Sequence, residues 1–169
     1  MQSEKHCGLI IATLCFIFDD TGSCLMLKRT REPHRNQWNA PGGRLLAGET
    51  PAQCCFREVR EETGLIPANL RDMGSLDCID ASKPERWQLC LFTGFHPRVP
   101  VAPSGEGEFA WLSIGKILTG GGEIVHNIPL FLPLLLQNVF VQGRFEYRGN
   151  FLERYSFSLI SRDQGLQVD

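Results

Sequence analysis

Three glutamates at helical spacing are the residues of this chain with the clearest capacity for chemistry. Glu58, Glu61 and Glu62 stand at positions i, i+3 and i+4, so they share one face if the segment is a helix. Like charges at this spacing repel each other, and a bound cation would compensate them. Ligands that are all oxygen favour a hard ion such as Mg²⁺ or Mn²⁺. A solvated acidic helix face is the alternative interpretation of three acids taken alone.

Helix start and stop signals surround these acids. Thr50 is a good N-cap, Pro51 suits the first helical position, and Gln53 completes a capping box with Thr50. Gly64 can supply the left-handed residue that ends the helix. The helix is predicted to bury one stripe at helical period, made of Ala52, Cys55, Phe56, Val59 and Thr63. The three glutamates then fall on the side away from that stripe.

The acids also belong to a longer fixed spacing between residues 43 and 65. Gly43 is followed after five residues by Glu49 and, after seven more, by the segment REVREETGL at residues 57–65. This stretch matches the Nudix box at every specified position, and the chain therefore resembles the Nudix hydrolases. The resemblance implies an α/β fold of the Nudix type, an α/β/α sandwich with a mixed β-sheet. It also implies metal-dependent hydrolysis of a nucleoside diphosphate linked to another group.

By this resemblance, the box supplies the metal ligands and the catalytic groups. Glu58, Glu61 and Glu62 are predicted to bind Mg²⁺, with Mn²⁺ as a substitute, and Glu58 or Glu61 to take the proton of the attacking water. The Gly43 carbonyl is predicted as a further ligand, since glycine permits close approach. Arg57 completes the predicted catalytic group, because it precedes Glu61 by four residues and can hold that carboxylate in place.

Three more acids have roles that the pattern leaves open. Glu49, at the start of the helix, could cap it, offset its dipole or support the metal from the outside. Glu106 and Glu108 both precede the short extended segment that contains Trp111. Glu106 matches the loop glutamate of the family better by its distance from Trp111, so it is predicted as the additional metal ligand. For both loop acids, simple solvation is the alternative.

Phosphate and base contacts are predicted from residues outside the box. Lys28 and Arg29 end the second predicted strand, near where the family contacts phosphate, although both could be ordinary surface charges. Trp38 and Asn39 precede the Gly-Gly turn, and Asn127 precedes an apolar helix. An asparagine amide both donates and accepts, as a purine edge requires. Asn127 could equally cap that helix.

Three flanking segments resemble one branch of the family. Residues 38–43 and 105–112 are similar to the corresponding parts of MutT-like enzymes that destroy oxidised purine triphosphates, and residues 139–159 resemble the closing hairpin of MutX-type 8-oxo-dGTP diphosphatases. The predicted function is therefore hydrolysis of 8-oxo-dGTP to the monophosphate and pyrophosphate. The alternatives are a Nudix hydrolase of ADP-ribose, a dinucleoside polyphosphate or a sugar nucleotide, and a non-catalytic Nudix-fold binding domain.

Composition adds limits to this interpretation. The 169 residues suffice for one domain spanning 1–169, and a formal net charge of −2 gives no broad electrostatic case for binding duplex nucleic acid. Seven cysteines without a CxxC pair favour neither a disulfide framework nor a zinc site, which suggests a reducing cytoplasm. The apolar segment 128–136 is too short to span a membrane and is predicted to be a buried helix, regular only after Pro133. The oligomeric state stays open.

Alternation of apolar and polar residues predicts the strands. Extended segments are expected at residues 8–18, 23–28, 76–79, 89–95 and 109–112, and residues 42–45 are expected to form a short strand or turn. Residues 113–118 should form one or two helical turns. A C-terminal hairpin is predicted at about 139–160, where aromatic residues alternate on both sides of Arg148-Gly149-Asn150.

Overall fold

A computed structural model describes residues 8–160. The strands are β1 (Leu9–Phe18), β2 (Ser23–Arg29), β3 (Trp38–Asn39), β4 (Ala68–Asp80), β5 (Arg86–Phe95), β6 (Gly107–Ser113), β7 (Phe140–Arg148) and β8 (Phe151–Ile160). The helices are α1 (Pro51–Thr63), α2 (Ile114–Thr119) and α3 (Ile128–Leu136), and a single 3₁₀ turn covers Gly121–Glu123.

All of these strands join one mixed sheet. The order is β3-β2-β1-β5-β4-β7-β8, and β6 pairs with β2 in antiparallel fashion. The β1–β5 and β4–β7 pairs are parallel, whereas β4–β5 and β7–β8 are antiparallel. This confirms the predicted mixed β-sheet of a Nudix-type fold.

Alternation along β1 divides the core into two layers. Cys15 and Ile17 pack with Cys55 and Val59 of α1 on one face of the sheet. On the other face, Phe16 and its neighbours on β1 pack with α2 and α3, and the rings of Phe16 and Phe131 meet edge to face at 5.7 Å. Helices therefore cover both faces of β1, which gives the predicted α/β/α sandwich and places α1 against the strand that carries the site.

The predicted ends of α1 are confirmed. Thr50 accepts the N–H of Gln53, the Gln53 side chain accepts the N–H of Thr50, and Gly64 adopts a left-handed φ of 73°. The predicted buried stripe is wrong in part. Ala52 and Phe56 are exposed, and Cys54 is buried instead with Cys55 and Val59.

The reason is that α1 is rotated toward the side that carries the acids. With Cys54, Cys55 and Val59 against the sheet, Glu58 and Glu62 lie at the border of the buried stripe and are half-buried. Glu58 and Glu62 therefore face the edge of the core, whereas Glu61 stays exposed, as predicted for the side away from the stripe.

Other departures from the predicted elements are local. The helix α3 is regular from Ile128 through Pro133 to Leu136, because four of its side chains are fully packed and a proline removes only one helical hydrogen bond. The strand β4 begins at Ala68, well before the predicted start. Residues 42–45 do not form a strand, and only Arg44 makes an isolated bridge, to Ala12.

Two further findings concern the cysteines and the membrane. The six cysteines between residues 8 and 160 are all free thiols, as predicted for a chain without a disulfide framework. Within the same residues, no helix combines the length and the apolar character that crossing a membrane requires.

Candidate active site

The centre of the candidate site is the Gly42-Gly43 turn, which lies directly on β1. Thr13 donates its N–H to the Gly43 carbonyl at 2.8 Å, and Cys15 donates to the Pro41 carbonyl at 2.8 Å. Gly42 has a φ of 153°, and a Cβ at this position would overlap the carbonyl oxygen of Thr13. Only glycine lets the turn approach the strand this closely.

Gly43 serves the site through the space that its missing side chain leaves. A Cβ there would overlap the carboxylate of Glu58, which occupies that space. The Gly43 carbonyl accepts hydrogen bonds from the Thr13 N–H and from the Cys54 thiol at 3.5 Å. Its oxygen is thus engaged within the fold, and its role as a metal ligand stays a prediction.

Glu62 lies against the same turn and has a strongly shifted pKa. Gly42 donates its N–H to Glu62 Oε2 at 3.1 Å. Burial raises the pKa of Glu62 to about 8, and the charges of Glu58 and Glu106 raise it further against the opposing effects of the Gly42 N–H and Arg29. Glu58 and Glu106 thus both lie within electrostatic reach of Glu62, and we name the three residues the acidic cluster.

The loop acids are separated by this arrangement. Glu106 is half-buried and contributes to the shifted pKa of Glu62, whereas Glu108 is exposed on β6 opposite Lys28. The structure therefore brings Glu106 to the carboxylates of α1 and leaves Glu108 on the strand surface.

Arg57 is the hub of the ion pairs on α1. Its guanidinium binds Glu49 with two hydrogen bonds, Nε to Oε1 at 2.5 Å and Nη2 to Oε2 at 2.9 Å. Its Nη1 also donates to Glu58 at 2.8 Å and to Glu61 at 3.3 Å. Arg57 therefore positions carboxylates, as predicted for Glu61, but its closest partner is Glu49.

Glu49 does not cap α1, since Thr50 fills that position. Its carboxylate accepts the N–H of Leu46 at 2.9 Å, and its hydrogen bonds with Arg57 are the main cause that lowers its pKa to about 2. The ion pair joins the loop before α1 to the helix itself. Glu49 thus supports the site by holding Arg57.

The acidic cluster suits a hard divalent cation in its chemistry, although its side chains are not gathered around one point. Between residues 8 and 160, no three acidic, histidine or cysteine side chains are arranged to hold a metal ion. Glu61 lies apart, with its side chain 62% exposed and turned to Arg57. The raised pKa of Glu62 and the recess that Gly43 leaves for Glu58 are the observations that fit a cation.

The residues predicted to contact phosphate lie at the end of β2. Arg29 is within electrostatic reach of Glu62, and its Nε donates to the Pro33 carbonyl at 2.8 Å. The Lys28 ammonium lies 5.8 Å from the centre of the Trp38 ring, a cation–π distance. Arg29 thus borders the acidic cluster, and Lys28 borders Trp38.

Trp38 connects this edge to the segment before α3. Its carbonyl accepts the N–H of Val125 at 3.0 Å, and the neighbouring Gln37 side chain donates to the Gly122 carbonyl at 2.9 Å. The Asn39 amide oxygen accepts the N–H of Ala40 at 2.9 Å, so part of its hydrogen-bonding capacity is used locally.

Asn127 occupies the N-cap position of α3, but its side chain makes no capping hydrogen bond, which removes one of its two predicted roles. It is 5% exposed, and no side-chain hydrogen bond closes the N-terminus of α3. Its Nδ2 donates instead to the Tyr147 hydroxyl at 3.5 Å, and His126 Nε2 lies 3.2 Å from the same hydroxyl. We name His126, Asn127 and Tyr147 the tyrosine cluster.

The sequence does not distinguish Tyr147 as a residue of the candidate site. In the hairpin, Tyr147 is one of several alternating aromatics, a pattern that indicates only a buried face.

Trp111 packs against the core. Its Nε1 donates to the Val99 carbonyl at 2.8 Å, and its ring packs against the core layer under α1.

Comparison with known proteins decides the family. The NUDIX domain model matches residues 8–128. This protein belongs to the Nudix family. It is 39% identical to an RNA pyrophosphohydrolase of Acinetobacter baylyi, covering 79% of this chain and 89% of the relative. It is 28% identical to an oxidized purine nucleoside triphosphate hydrolase of Danio rerio, covering 76% of this chain and 81% of the relative.

The fold is similar to that of a solved MutT protein. The crystal structure of the MutT protein from Bacillus halodurans superposes with a TM-score of 0.75 and 26% identity, covering 88% of this chain and 97% of that one. The family and its members' activities make this Nudix protein an enzyme, a hydrolase of the pyrophosphohydrolase type.

Proposed function

We propose that this Nudix hydrolase removes pyrophosphate from nucleoside 5′-triphosphates with Mg²⁺, and that oxidised purine nucleotides such as 8-oxo-dGTP are its preferred substrates. The observation that carries the proposal is the acidic cluster on the Gly42-Gly43 turn, bordered by cationic residues and, farther along, by the tyrosine cluster. Carboxylates, cations and base-facing amides are the groups that a triphosphate nucleotide requires.

Glu58, Glu62 and Glu106 would hold the cation. When bound, Mg²⁺ neutralises phosphate charge and acidifies a water molecule. The proton that Glu62 retains at neutral pH, given its pKa of about 8, must leave when the carboxylate becomes a ligand.

Glu61 is the best candidate for accepting the proton of water. Its side chain is 62% exposed, and at 3.3 Å its hydrogen bond with Arg57 is longer than those that Arg57 makes to Glu49 and Glu58. An exposed carboxylate that Arg57 links to Glu58 can take a proton from an approaching water molecule without first losing a buried contact. Arg57 would keep Glu58 and Glu61 in place while Glu49 holds Arg57.

Arg29 and Lys28 would contact the phosphate chain, since both end β2 beside the site. Trp38 would border the base, while Asn39 and Asn127 would read its edge through their amides. A pocket that hydrogen-bonds one base edge rejects analogues that leave its polar groups unpaired.

A second candidate substrate is the 5′-triphosphate end of RNA. The 39% identity to the RNA pyrophosphohydrolase of Acinetobacter baylyi favours it. Both substrates present a 5′-triphosphate, so the acidic cluster would do the same work on each. They differ in whether the nucleotide is free or continues into a chain.

A substrate panel in which the products are separated by chromatography tests both, because ADP-ribose and dinucleoside polyphosphates are cleaved without release of pyrophosphate. The panel contains 8-oxo-dGTP, dGTP, dATP, 5′-triphosphorylated RNA, ADP-ribose and a dinucleoside polyphosphate, each with Mg²⁺, with Mn²⁺ and with EDTA. We expect the highest kcat/KM for 8-oxo-dGTP and no turnover in EDTA. Highest activity on RNA would select the second candidate, and activity on ADP-ribose alone would overturn the proposal.

A cytoplasmic location of the protein stays a prediction.

A further inference from the structure

The C-terminal hairpin contacts the segment before α3 through the hydroxyl of Tyr147. Tyr147 lies beyond residues 8–128, the part that the family model matches. Its hydroxyl is nevertheless within 3.2 Å of His126 Nε2 and 3.5 Å of Asn127 Nδ2. A residue outside the family's common part therefore contacts two neighbours at the edge of that part.

Tyr147 is held firmly enough to position other groups. In β7 it pairs with Asp80 of β4 on one side and with Leu152 of β8 on the other, and its carbonyl accepts the N–H of Ala81 at 2.9 Å. Its ring is nearly parallel to that of the fully buried Phe145, with centres 6.5 Å apart. A central strand and a ring contact thus fix where the hydroxyl lies.

The hydrogen bonds at this hydroxyl have a consistent direction. Asn127 donates through Nδ2, so the Tyr147 oxygen accepts and its own proton is free to be donated. When the neutral His126 ring carries its proton on Nδ1, its Nε2, 3.2 Å from the hydroxyl, accepts the Tyr147 proton, and the two rings meet edge to face with centres 5.4 Å apart. The chain runs from Asn127 through Tyr147 to His126.

This direction determines what Asn127 can present to a substrate. An asparagine has one carbonyl oxygen and two N–H donors, and one donor is directed at Tyr147. With the Tyr147 proton directed at His126, a rotated amide would set its oxygen against the Tyr147 oxygen with no proton between them, so the bond would be lost. Because Asn127 is 5% exposed, an amide in the opposite orientation would put its oxygen where its N–H now points.

We infer that Tyr147 is a specificity-determining positioning residue, which fixes the amide of Asn127 so that its carbonyl oxygen and its remaining N–H face the purine edge. This inference rests on the proposed function, because it requires Asn127 to contact the base. Tyr147 itself acts through Asn127 and does not touch the reacting phosphates.

The test compares Tyr147→Phe with a matched control, Tyr155→Phe. Tyr155 belongs to the same hairpin and stacks on the same Phe145 ring at 5.7 Å, but it is 47% exposed. Both variants keep their rings, so both should fold, and thermal melting checks this. The readout is the ratio of the highest to the lowest kcat/KM among 8-oxo-dGTP, dGTP and dATP, which we call the spread. A purely structural role would lower all three kcat/KM values together and leave the spread unchanged.

We expect Tyr147→Phe to narrow that spread about tenfold and Tyr155→Phe to leave it unchanged. In an Asn127→Ala background, Tyr147→Phe should have no further effect on the spread, because the two residues act as one unit. If Tyr147→Phe lowers the melting temperature strongly, the double variant Asn127→Ala with His126→Ala takes its place. It tests non-additivity between the two residues that contact the Tyr147 hydroxyl.

The outcomes separate the inference from the proposed function. A wild-type spread that Tyr147→Phe leaves intact, or additive effects in the double variant, overturns the inference alone. A wild-type preference for an unoxidised purine that Tyr147→Phe narrows supports the inference and overturns only the oxidised-purine assignment. Absence of any spread, or of any nucleotide hydrolysis, overturns both.

Discussion

The acidic cluster and the tyrosine cluster take their positions from different ranges of the chain. Two of the three acids belong to a single capped helix, whose hub residue Arg57 lies next to Glu58 and within four residues of Glu61. The tyrosine cluster needs Tyr147, twenty residues beyond Asn127, and the pairing of β7 with β4. Local interactions order the two acids of α1, which the loop before β6 then joins through Glu106, whereas the tyrosine cluster depends on the pairing of distant strands.

The acidic cluster and the tyrosine cluster should also differ in their effect on function. Residues that would act on every triphosphate lie on α1 and around it, within residues 8–128 that the family model matches. Residues that would distinguish one base from another lie where segments distant in sequence meet. Changes in the first region should therefore alter the rate for all substrates, and changes in the second should alter the choice among them.

The largest expected effect is the loss of catalysis in Glu61→Gln. Removing a carboxylate that binds the metal or takes the water proton should lower kcat by at least ~10²-fold for every nucleotide. The ratio between nucleotides should stay constant, in contrast to Asn127→Ala. Glu85→Gln, on the exposed β4–β5 loop, is the control. Wild-type kcat in Glu61→Gln would remove this residue from the mechanism.

The two glycines of the turn should respond differently to the same substitution. In Gly43→Ala, the new methyl group displaces the Glu58 carboxylate, a flexible side-chain end, so kcat should fall by about 10²-fold while the melting temperature changes little. In Gly42→Ala, the methyl group meets the Thr13 backbone, which should destabilise the fold by about 1–3 kcal/mol. The melting temperature and kcat of both variants test this contrast. An equal decrease of the melting temperature in both would contradict the different roles assigned to Gly42 and Gly43.

A smaller effect should distinguish the two loop acids. Glu106 contributes to the electrostatics of Glu62, and Glu108 does not face the cluster, so Glu106→Gln should lower kcat about tenfold at saturating Mg²⁺ and Glu108→Gln should not. A loss confined to Glu108→Gln would assign the metal-site role to Glu108. The pair is matched in charge and in location on the same segment.

The smallest expected effect is a pH dependence of the metal-free protein. The pKa of Glu62 is about 8 in the folded protein, against an ordinary glutamate value of 4.5, so the folded state holds the proton more tightly. The stabilisation from this group is fully present below about 4.5 and is lost as the pH rises through about 8. In EDTA, the melting temperature of wild type relative to Glu62→Gln should decline from about pH 5 to about pH 9.

Metal should oppose that decline. Because the cation displaces the proton of Glu62, Mn²⁺ should bind more tightly as the pH rises toward about 8, and this dependence should weaken in Glu62→Gln. A wild-type melting curve in EDTA that does not differ from Glu62→Gln at any pH would place the titrating proton elsewhere.

The sequence alone determined the helix α1 and the order of its chemical groups. Thr50, Gln53 and Gly64 act on backbone groups a few residues away, so their positions can be predicted without knowing the rest of the fold. The family resemblance of residues 43–65 supplied the fold and the hydrolase class for the same reason, because a spacing is a property of the chain itself.

Only the tertiary structure decided which surfaces of these elements are buried and what they meet. Apolar character predicted a buried Phe56, but the contact of Cys54, Cys55 and Val59 with the sheet rotated α1 and left that ring exposed. The same rotation pressed Glu58 and Glu62 against the glycine turn. Tyr147 reaches Asn127 through a parallel strand pair, and hydrogen-bond partners brought together by pairing distant strands leave no local pattern in a sequence.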